Sequence, residues 1–321
     1  MASSEFLGRV EEAAQALKGI PKENPVKLVG HIDADGIAAT AIMMKVLQRL
    51  GYQFSVSNVQ QLSETVLEDL AGQPYNHIIF VDLGSSLIAE MGKLLGGRKI
   101  IILDHHSPKK GEGGDLVHVN PHLFGIDGGS DISGAGVCYL VARAVGGENK
   151  DLSYLGIVGA LGDSQYSNGF RELNSIVLGD AKDAGKMAVE KGLNIFGFHS
   201  RPLYKALCHS GDLYIPDVSG SESGAIQFLT DIGIHPKAGA SWRTLSSLST
   251  EEEQRLVEAV ILRREGEEMP EDVFSDRFVL VDEKKESYFY DAKEFSTLLN
   301  ACGRLGRIGL GLRLCLGSED A

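Results

Sequence analysis

Three short polar segments carry most of the reactive side chains in this 321-residue chain. They are His31-Ile32-Asp33-Ala34-Asp35-Gly36, the single acid in Val81-Asp82-Leu83, and Asp104-His105-His106. A further acid, Asp163, stands after Gly162. Carboxylates and imidazoles without thiolates suit a hard or borderline divalent ion. The imidazoles favour Mn²⁺ over Mg²⁺. The candidate metal ligands are therefore His31, Asp33, Asp35, Asp82, His105 and Asp163. Four carboxylates brought together without metal would repel and raise one another's pKa values. Two divalent ions resolve that conflict. One carboxylate bridging two ions about 3.5–4 Å apart is the pattern of two-metal phosphoryl hydrolysis. Asp82, alone at the end of its strand, is the candidate bridge. Taken singly, each residue has a plainer explanation: a core histidine, a helix cap, a turn former. Their expected convergence on one sheet edge is what makes them a site.

That convergence depends on the runs that precede them. Val26-Lys27-Leu28-Val29-Gly30, His77-Ile78-Ile79-Phe80-Val81 and Lys99-Ile100-Ile101-Ile102-Leu103 are short and apolar and end abruptly in polar residues. Such runs read as buried parallel strands, and ligands bind outside the carboxyl ends of such strands. Amphipathic spacing predicts helices over 1–22, 37–50, 62–70, 85–95, 135–144, 151–161, 168–190, 251–265 and 293–300. Further strands are expected at 54–59, 117–120, 278–281, 288–290 and 309–316. The β-α-β-α rhythm implies an α/β fold with a mostly parallel, doubly wound sheet. The Gly- and Ser-rich stretch 128–136 opens a helix. Asp131 or Ser133 could cap it, or the amides of Ser133 and Gly134 could face a phosphate.

The length favours two domains over one. Residues 1–190 are expected to form the catalytic domain and 191–255, rich in Gly, Ser and Pro, a connector. Residues 256–321 are expected as a smaller α/β domain. No apolar run approaches the roughly 20 residues that span a bilayer, and Met1–Glu12 lacks the pattern of a signal peptide. The four scattered cysteines suggest reduced thiols in a cytoplasmic protein. A net charge of −13 argues against non-specific wrapping of nucleic acid, although it does not exclude a nuclease with a local basic groove.

His-x-Asp-x-Asp followed by Asp82, Asp104-His105-His106 and Asp163 resembles the DHH phosphoesterases, named for the Asp-His-His motif. Ile132-Ser133-Gly134-Ala135-Gly136-Val137 and Asn300-Ala301-Cys302-Gly303-Arg304 look like the RecJ-type nucleases, the latter run like archaeal RecJ-like exonucleases in particular. The resemblance implies that His31, Asp33 and Asp82 hold one Mn²⁺, and that Asp35, Asp82, His105 and Asp163 hold the other. It also implies that His106 faces the scissile phosphate, with Asp104 orienting the neighbouring imidazole. Residues 256–321 would be an abbreviated DHH-associated substrate-binding domain. Many relatives carry a Gly-Gly-Gly-His motif there, and this chain has none. Arg304, Arg307 and Arg313 are the nearest replacements as phosphate ligands, and Asn300 joins them as a substrate-binding candidate. Tyr166, Phe170 and Phe198 could stack on bases, although each would equally suit a core.

The expected activity is a Mn²⁺-dependent exonuclease on single-stranded DNA or RNA. One alternative is a phosphodiesterase of dinucleotides or short oligoribonucleotides. Another, of a different class, is a non-catalytic replication scaffold, because relatives occur as parts of the replicative helicase. An enzyme that also docks on a helicase or replisome subunit is compatible with the acidic surface.

Overall fold

Five of the apolar runs become parallel strands. The computed structural model describes residues 2–109, 115–167, 169–267 and 273–317. Strands β1 (Val26–His31), β2 (Phe54–Val59), β3 (His77–Val81), β4 (Lys99–Leu103) and β5 (Leu116–Val119) form one sheet in the order β2-β1-β3-β4-β5. Every pairing is parallel, so consecutive strands need crossovers. Helices α2 (Ala34–Arg49), α3 (Glu64–Ala71) and α4 (Ile88–Leu94) supply the first three. Helix α1 (Ala2–Lys18) precedes β1.

Ile78, Phe80, Ile100 and Ile102 pack on one face of the sheet with Leu67, Leu70 and Met91 of α3 and α4. The alternate residues Ile79, Val81, Ile101 and Leu103 are also buried. With both faces covered, the strands read as continuous apolar runs. Helix α1 buries Phe6, Val10, Ala13, Ala14 and Leu17, the stripe its spacing predicts. From β1 the chain turns to β2 on one side and to β3 on the other. That reversal is the switch point of an open α/β sheet, where a crevice opens beyond the strand ends. His31 ends β1, and Asp82 directly follows β3.

Helices α5 (Gly134–Val145), α6 (Ser153–Gly162) and α7 (Glu172–Asp183) follow. The helix expected over 168–190 is shorter. Residue 168 lies outside the described residues, Gly185 turns the chain at φ +66°, and β6 (Met187–Leu193) takes the rest. Gly192 sits within β6.

The chain divides differently from the 1–190, 191–255 and 256–321 expectation. One compact unit comprises Met1–Met187 with Ser296–Ala321, and the other comprises Ala188–Phe295. The supposed connector is the larger part of the second unit. There, α8 (Leu203–Cys208), α9 (Glu222–Asp231) and α10 (Thr250–Arg263) share a core of Leu207, Leu213, Ile215, Phe228, Leu229, Leu256 and Val260. A two-residue hairpin, β7 (Lys237–Ala238) with β8 (Ser241–Trp242), and a β6–β9 sheet (β9, Phe274–Leu280) complete it. Apart from α10, which the amphipathic spacing predicts, its helices are too short for their apolar residues to show a period, so turn composition dominates the reading of 191–249.

Residues 288–290 lie in turns, not in a strand. The last two helices are α11 (Ala292–Arg304) and α12 (Ile308–Cys315). The latter replaces the strand expected over 309–316. Its Gly-Leu-Arg alternation mimics a two-residue period, but the buried positions are Gly311 and Cys315, four apart, as on one helix face. All four cysteines are free and buried. Among the described residues no helix is long and apolar enough to cross a membrane.

A connector and a folded unit differ in their protease sensitivity. The native chain is expected to resist early cleavage between Leu203 and Arg263. Leu207→Ala, which empties a fully buried position at a cost of about 2–5 kcal/mol, is expected to open that segment in timed limited proteolysis.

Candidate metal centre

His31 closes β1 with its ring edge turned into the crevice. Its Nε2 lies 3.0 Å from the Gln60 carbonyl oxygen, which accepts the ring N–H. That bond fixes the tautomer and leaves Nδ1 free to act as a ligand atom. Nδ1 is 2.8 Å from Asp33 Oδ2 and 3.6 Å from Asp82 Oδ2. Asp33 uses its other oxygen, Oδ1, to cap α2, accepting the Gly36 N–H at 2.9 Å. One side chain thus starts a helix and faces the site.

Asp35 is fully buried. Its carboxylate accepts the Gly134 and Ala135 N–H groups at 2.6 and 2.9 Å, at the N-terminus of α5. Unpaired amides and the helix dipole favour a negative charge there. Ser133 caps the same helix, its Oγ accepting the Gly136 N–H at 3.1 Å. The first amides of α5 are therefore taken by protein oxygens, in place of the phosphate that the sequence left open for Ser133 and Gly134.

Asp82 has φ +58°, the left-handed region that costs a non-glycine residue on the order of 1–3 kcal/mol. Its N–H continues the β3–β4 ladder by donating to the Leu103 carbonyl at 2.8 Å, which holds the strained residue in place. The strain turns one buried carboxylate toward both sides of the crevice. Oδ2 faces His31, while Oδ1 lies 3.2 Å from His105 Nε2 and 3.8 Å from His106 Nδ1. His105 Nε2 is also 3.3 Å from Asp163 Oδ2 and 3.7 Å from Asp35 Oδ2. Its Nδ1 donates to the Gly128 carbonyl at 2.6 Å. Asp104 Oδ1 accepts the His105 N–H and meets His106 Nδ1, each at 2.8 Å, and its Oδ2 accepts the Ser85 N–H at 2.9 Å. His106, tethered through Nδ1, is half exposed.

Three groups of side chains could each converge on an ion: His31, Asp33 and Asp82; Asp35, His105 and Asp163; and Asp82, His105 and His106. The decisive atoms are buried and lack hydrogen-bond partners: His31 Nδ1, both Asp82 oxygens and His105 Nε2. Orphaned buried polar atoms are costly, and divalent ions would satisfy them. The donor set fits a metal centre.

Charge behaves accordingly. The Asp33 and Asp82 carboxylates hold His31 at a pKa of about 11. Burial and the Asp82 charge push Asp163 up to about 7, and burial with Asp82 and Asp163 pushes Asp35 upward. Burial opposes the charge on Asp82, yet His105 and His31 hold it below the usual carboxylate range.

The supporting residues were not singled out in the sequence. Asn120 donates to Ser85 Oγ and to the His106 carbonyl, each at 2.8 Å. The Gln165 amide donates to the same Gly128 carbonyl that fixes His105, at 2.9 Å. Asn120-Pro121 was a visible turn signal, whereas Ser85 and Gln165 gave none. Asn300, expected at substrate, accepts the Ala34 N–H at 2.9 Å. Arg304 and Arg307 are exposed. Tyr166 and Phe170 pack edge to face, and Phe198 is buried in the core of the second unit.

A parallel sheet with paired His and Asp clusters at its switch point fits a metal-dependent hydrolase. Residues 25–159 match the N-terminal domain of the DHH family and residues 195–276 the DHH-CID domain. The chain belongs to the DHH family, on its RecJ-like side. It is 32% identical to the uncharacterized protein MJ0831 of Methanocaldococcus jannaschii, over 98% of this chain and 70% of that protein. It is 28% identical to the single-stranded-DNA-specific exonuclease RecJ of Bacillus subtilis, over 50% of this chain and 21% of RecJ. Its fold resembles CDC45 from Entamoeba histolytica, with a TM-score of 0.68 at 14% identity, covering 96% of this chain and 68% of that one.

Two expected outcomes follow from the geometry. His31 rises from 6.5 to about 11, so its contribution to metal-free stability is complete below pH 6.5 and drains as pH climbs toward 11. Asp163, raised from 3.8 to about 7, also costs stability as pH rises through that interval. An ion must displace these protons. The gain in melting temperature on adding Mn²⁺ is therefore expected to grow from about pH 6 to about pH 9, with proton release in weakly buffered titrations. A gain independent of pH would contradict this. Second, a Cβ at Gly159 would lie 2.1 Å from Asp35 Oδ1. Gly159→Ala is expected to weaken Mn²⁺ binding about tenfold or more by calorimetry.

Proposed function

We propose that this chain is a Mn²⁺-dependent exonuclease that hydrolyses phosphodiester bonds of single-stranded DNA or RNA. The observation that carries the reading is the Asp82 carboxylate, whose two unpartnered oxygens face His31 on one side and His105 on the other. On this reading His31, Asp33 and Asp82 hold one ion, and Asp35, Asp82, His105 and Asp163 hold a second. Mn²⁺ suits the imidazole content, and Mg²⁺ could occupy the same oxygens. Ions bound there supply Lewis acidity toward a phosphoryl group and a nucleophile at neutral pH.

The residues of the chain do the rest. Asp104 fixes the His106 ring, so that its free Nε2 can hydrogen-bond a phosphoryl oxygen. The bond to the Gly128 carbonyl keeps Nε2 of His105 turned inward. Arg304 and Arg307, exposed at the end of α11 and beyond it, can take the phosphates of a bound strand.

The likeness to RecJ supports the choice of a single-stranded substrate, although this chain spans only about a fifth of that protein. The fold likeness to CDC45 supports a second reading, a non-catalytic scaffold associated with a helicase or replisome. The presence of all six candidate ligand side chains favours the enzyme, because a scaffold has no use for a buried carboxylate with two unpartnered oxygens.

The test uses single-stranded RNA and DNA, labelled at either end, with Mn²⁺ and resolution of single nucleotides. A ladder of stepwise shortening is expected. Asp82→Asn is expected to lower turnover on the order of a thousandfold or more. Cleavage of dinucleotides alone would move the assignment to a phosphodiesterase of short substrates. Bound metal with no hydrolysis of any substrate would favour the scaffold.

A further inference from the structure

We infer that the Asn300–Gly303 end of α11 positions the first metal-binding loop, so that Asn300 acts on the ion site and not on substrate. This rests on reading the His and Asp cluster as a metal centre. The loop Ile32-Asp33-Ala34 must do two things at once: start α2 and present Asp33 to His31. A helix start leaves several N–H groups without intrahelical acceptors. Asp33 Oδ1 takes the Gly36 N–H, and Asn300 Oδ1 takes the Ala34 N–H, both at 2.9 Å. With Ala34 served from α11, Asp33 needs only one oxygen for the helix. Its Oδ2 is left 2.8 Å from His31 Nδ1, where an ion would sit.

Two glycines mark further close approaches on the same face of α11. Gly303 meets the carbonyl of Ile32 so closely that a Cβ would lie 1.9 Å from its oxygen. Ser296, buried, lies opposite Gly162, where a Cβ would be 3.7 Å from the Ser296 Cβ. Gly162 immediately precedes Asp163. Positions 296, 300 and 303 are spaced as i, i+4 and i+7, one stripe of a helix. One helix face therefore meets the loop that carries Asp33 and lies opposite the end of α6, which Asp163 follows. The Asn-Ala-Cys-Gly run is a brace, with a side chain where an acceptor is needed and none where backbones meet.

The experiment titrates Mn²⁺ into the full chain by calorimetry without substrate, with melting temperatures measured on the same samples. Asn300→Ala is expected to weaken binding about tenfold, and Asn300→Asp, which keeps an acceptor oxygen, to restore most of it. Gly303→Ala is expected to weaken binding at least as much, although alanine is the better helix former. Leu299→Ala removes a fully buried side chain from the same helix. It is expected to lower the melting temperature and leave Mn²⁺ affinity within about twofold. The inference is overturned if Asn300→Ala binds Mn²⁺ like the parent, or if Leu299→Ala loses affinity to the same extent. A raised KM for oligonucleotides in Asn300→Ala with unchanged Mn²⁺ affinity would likewise overturn it and return the residue to substrate. Because ions are read directly, absent nuclease activity would not disturb this outcome. A parent chain that binds no Mn²⁺ would sink the metal centre and the inference together.

Discussion

A buried carboxylate that faces two imidazoles and accepts no hydrogen bond is the constraint around which the first unit is arranged. Asp82 sits at the end of β3 with φ +58°. An isolated charge in such a place is expensive. It persists because His31 and His105 flank it, and because the ladder bond to Leu103 leaves the backbone no relaxed alternative. Placing the site at the sheet's switch point provides the room. Strands β1 and β3 lie side by side while their following segments part, so His31 and Asp82 end as neighbours at the carboxyl edge of the sheet.

The other acids are tolerated by different means. Asp33 and Asp35 both engage helix N-termini, those of α2 and α5. Aligned peptide dipoles and unpaired amides favour negative charge at such ends. Helix starts that elsewhere receive phosphate here carry the protein's own carboxylates. Asp163 has no such help, and burial beside Asp82 raises it to about 7. The imidazoles are oriented by carbonyls of Gln60 and Gly128 and by the Asp104 carboxylate. Ser85 and Asn120 fix the Asp104–His106 segment in turn. Rigid partners around the ligands are what make a site tight enough for a specific ion.

The second unit shows how a core can escape notice. Its apolar residues are as thoroughly buried as those of the sheet, with Leu207, Leu213, Ile215 and Leu229 all fully covered. These four come from the short helices α8 and α9 and the Gly-, Ser- and Pro-rich turns around them, where no window is long enough to display a period, unlike α10. The family match to a DHH-CID domain over 195–276 covers this stretch.

The clustering of the six candidate ligand residues at one sheet edge, the five parallel strands and the α1 stripe could be read from sequence because each rests on a local pattern. An apolar run fixes a buried strand, and the polar residue that stops it must emerge at the strand's end. What lay outside any window was decided by tertiary packing. The Ala34 N–H finds its acceptor on Asn300, 266 residues away. The imidazole tautomers depend on carbonyls from other segments. Helix α12 mimicked a strand until Gly311 and Cys315 were seen to share one buried face. Sequence records which residues are apolar and how they are spaced. Only the closed structure determines which donor meets which acceptor, because that depends on distances between elements that no local spacing contains.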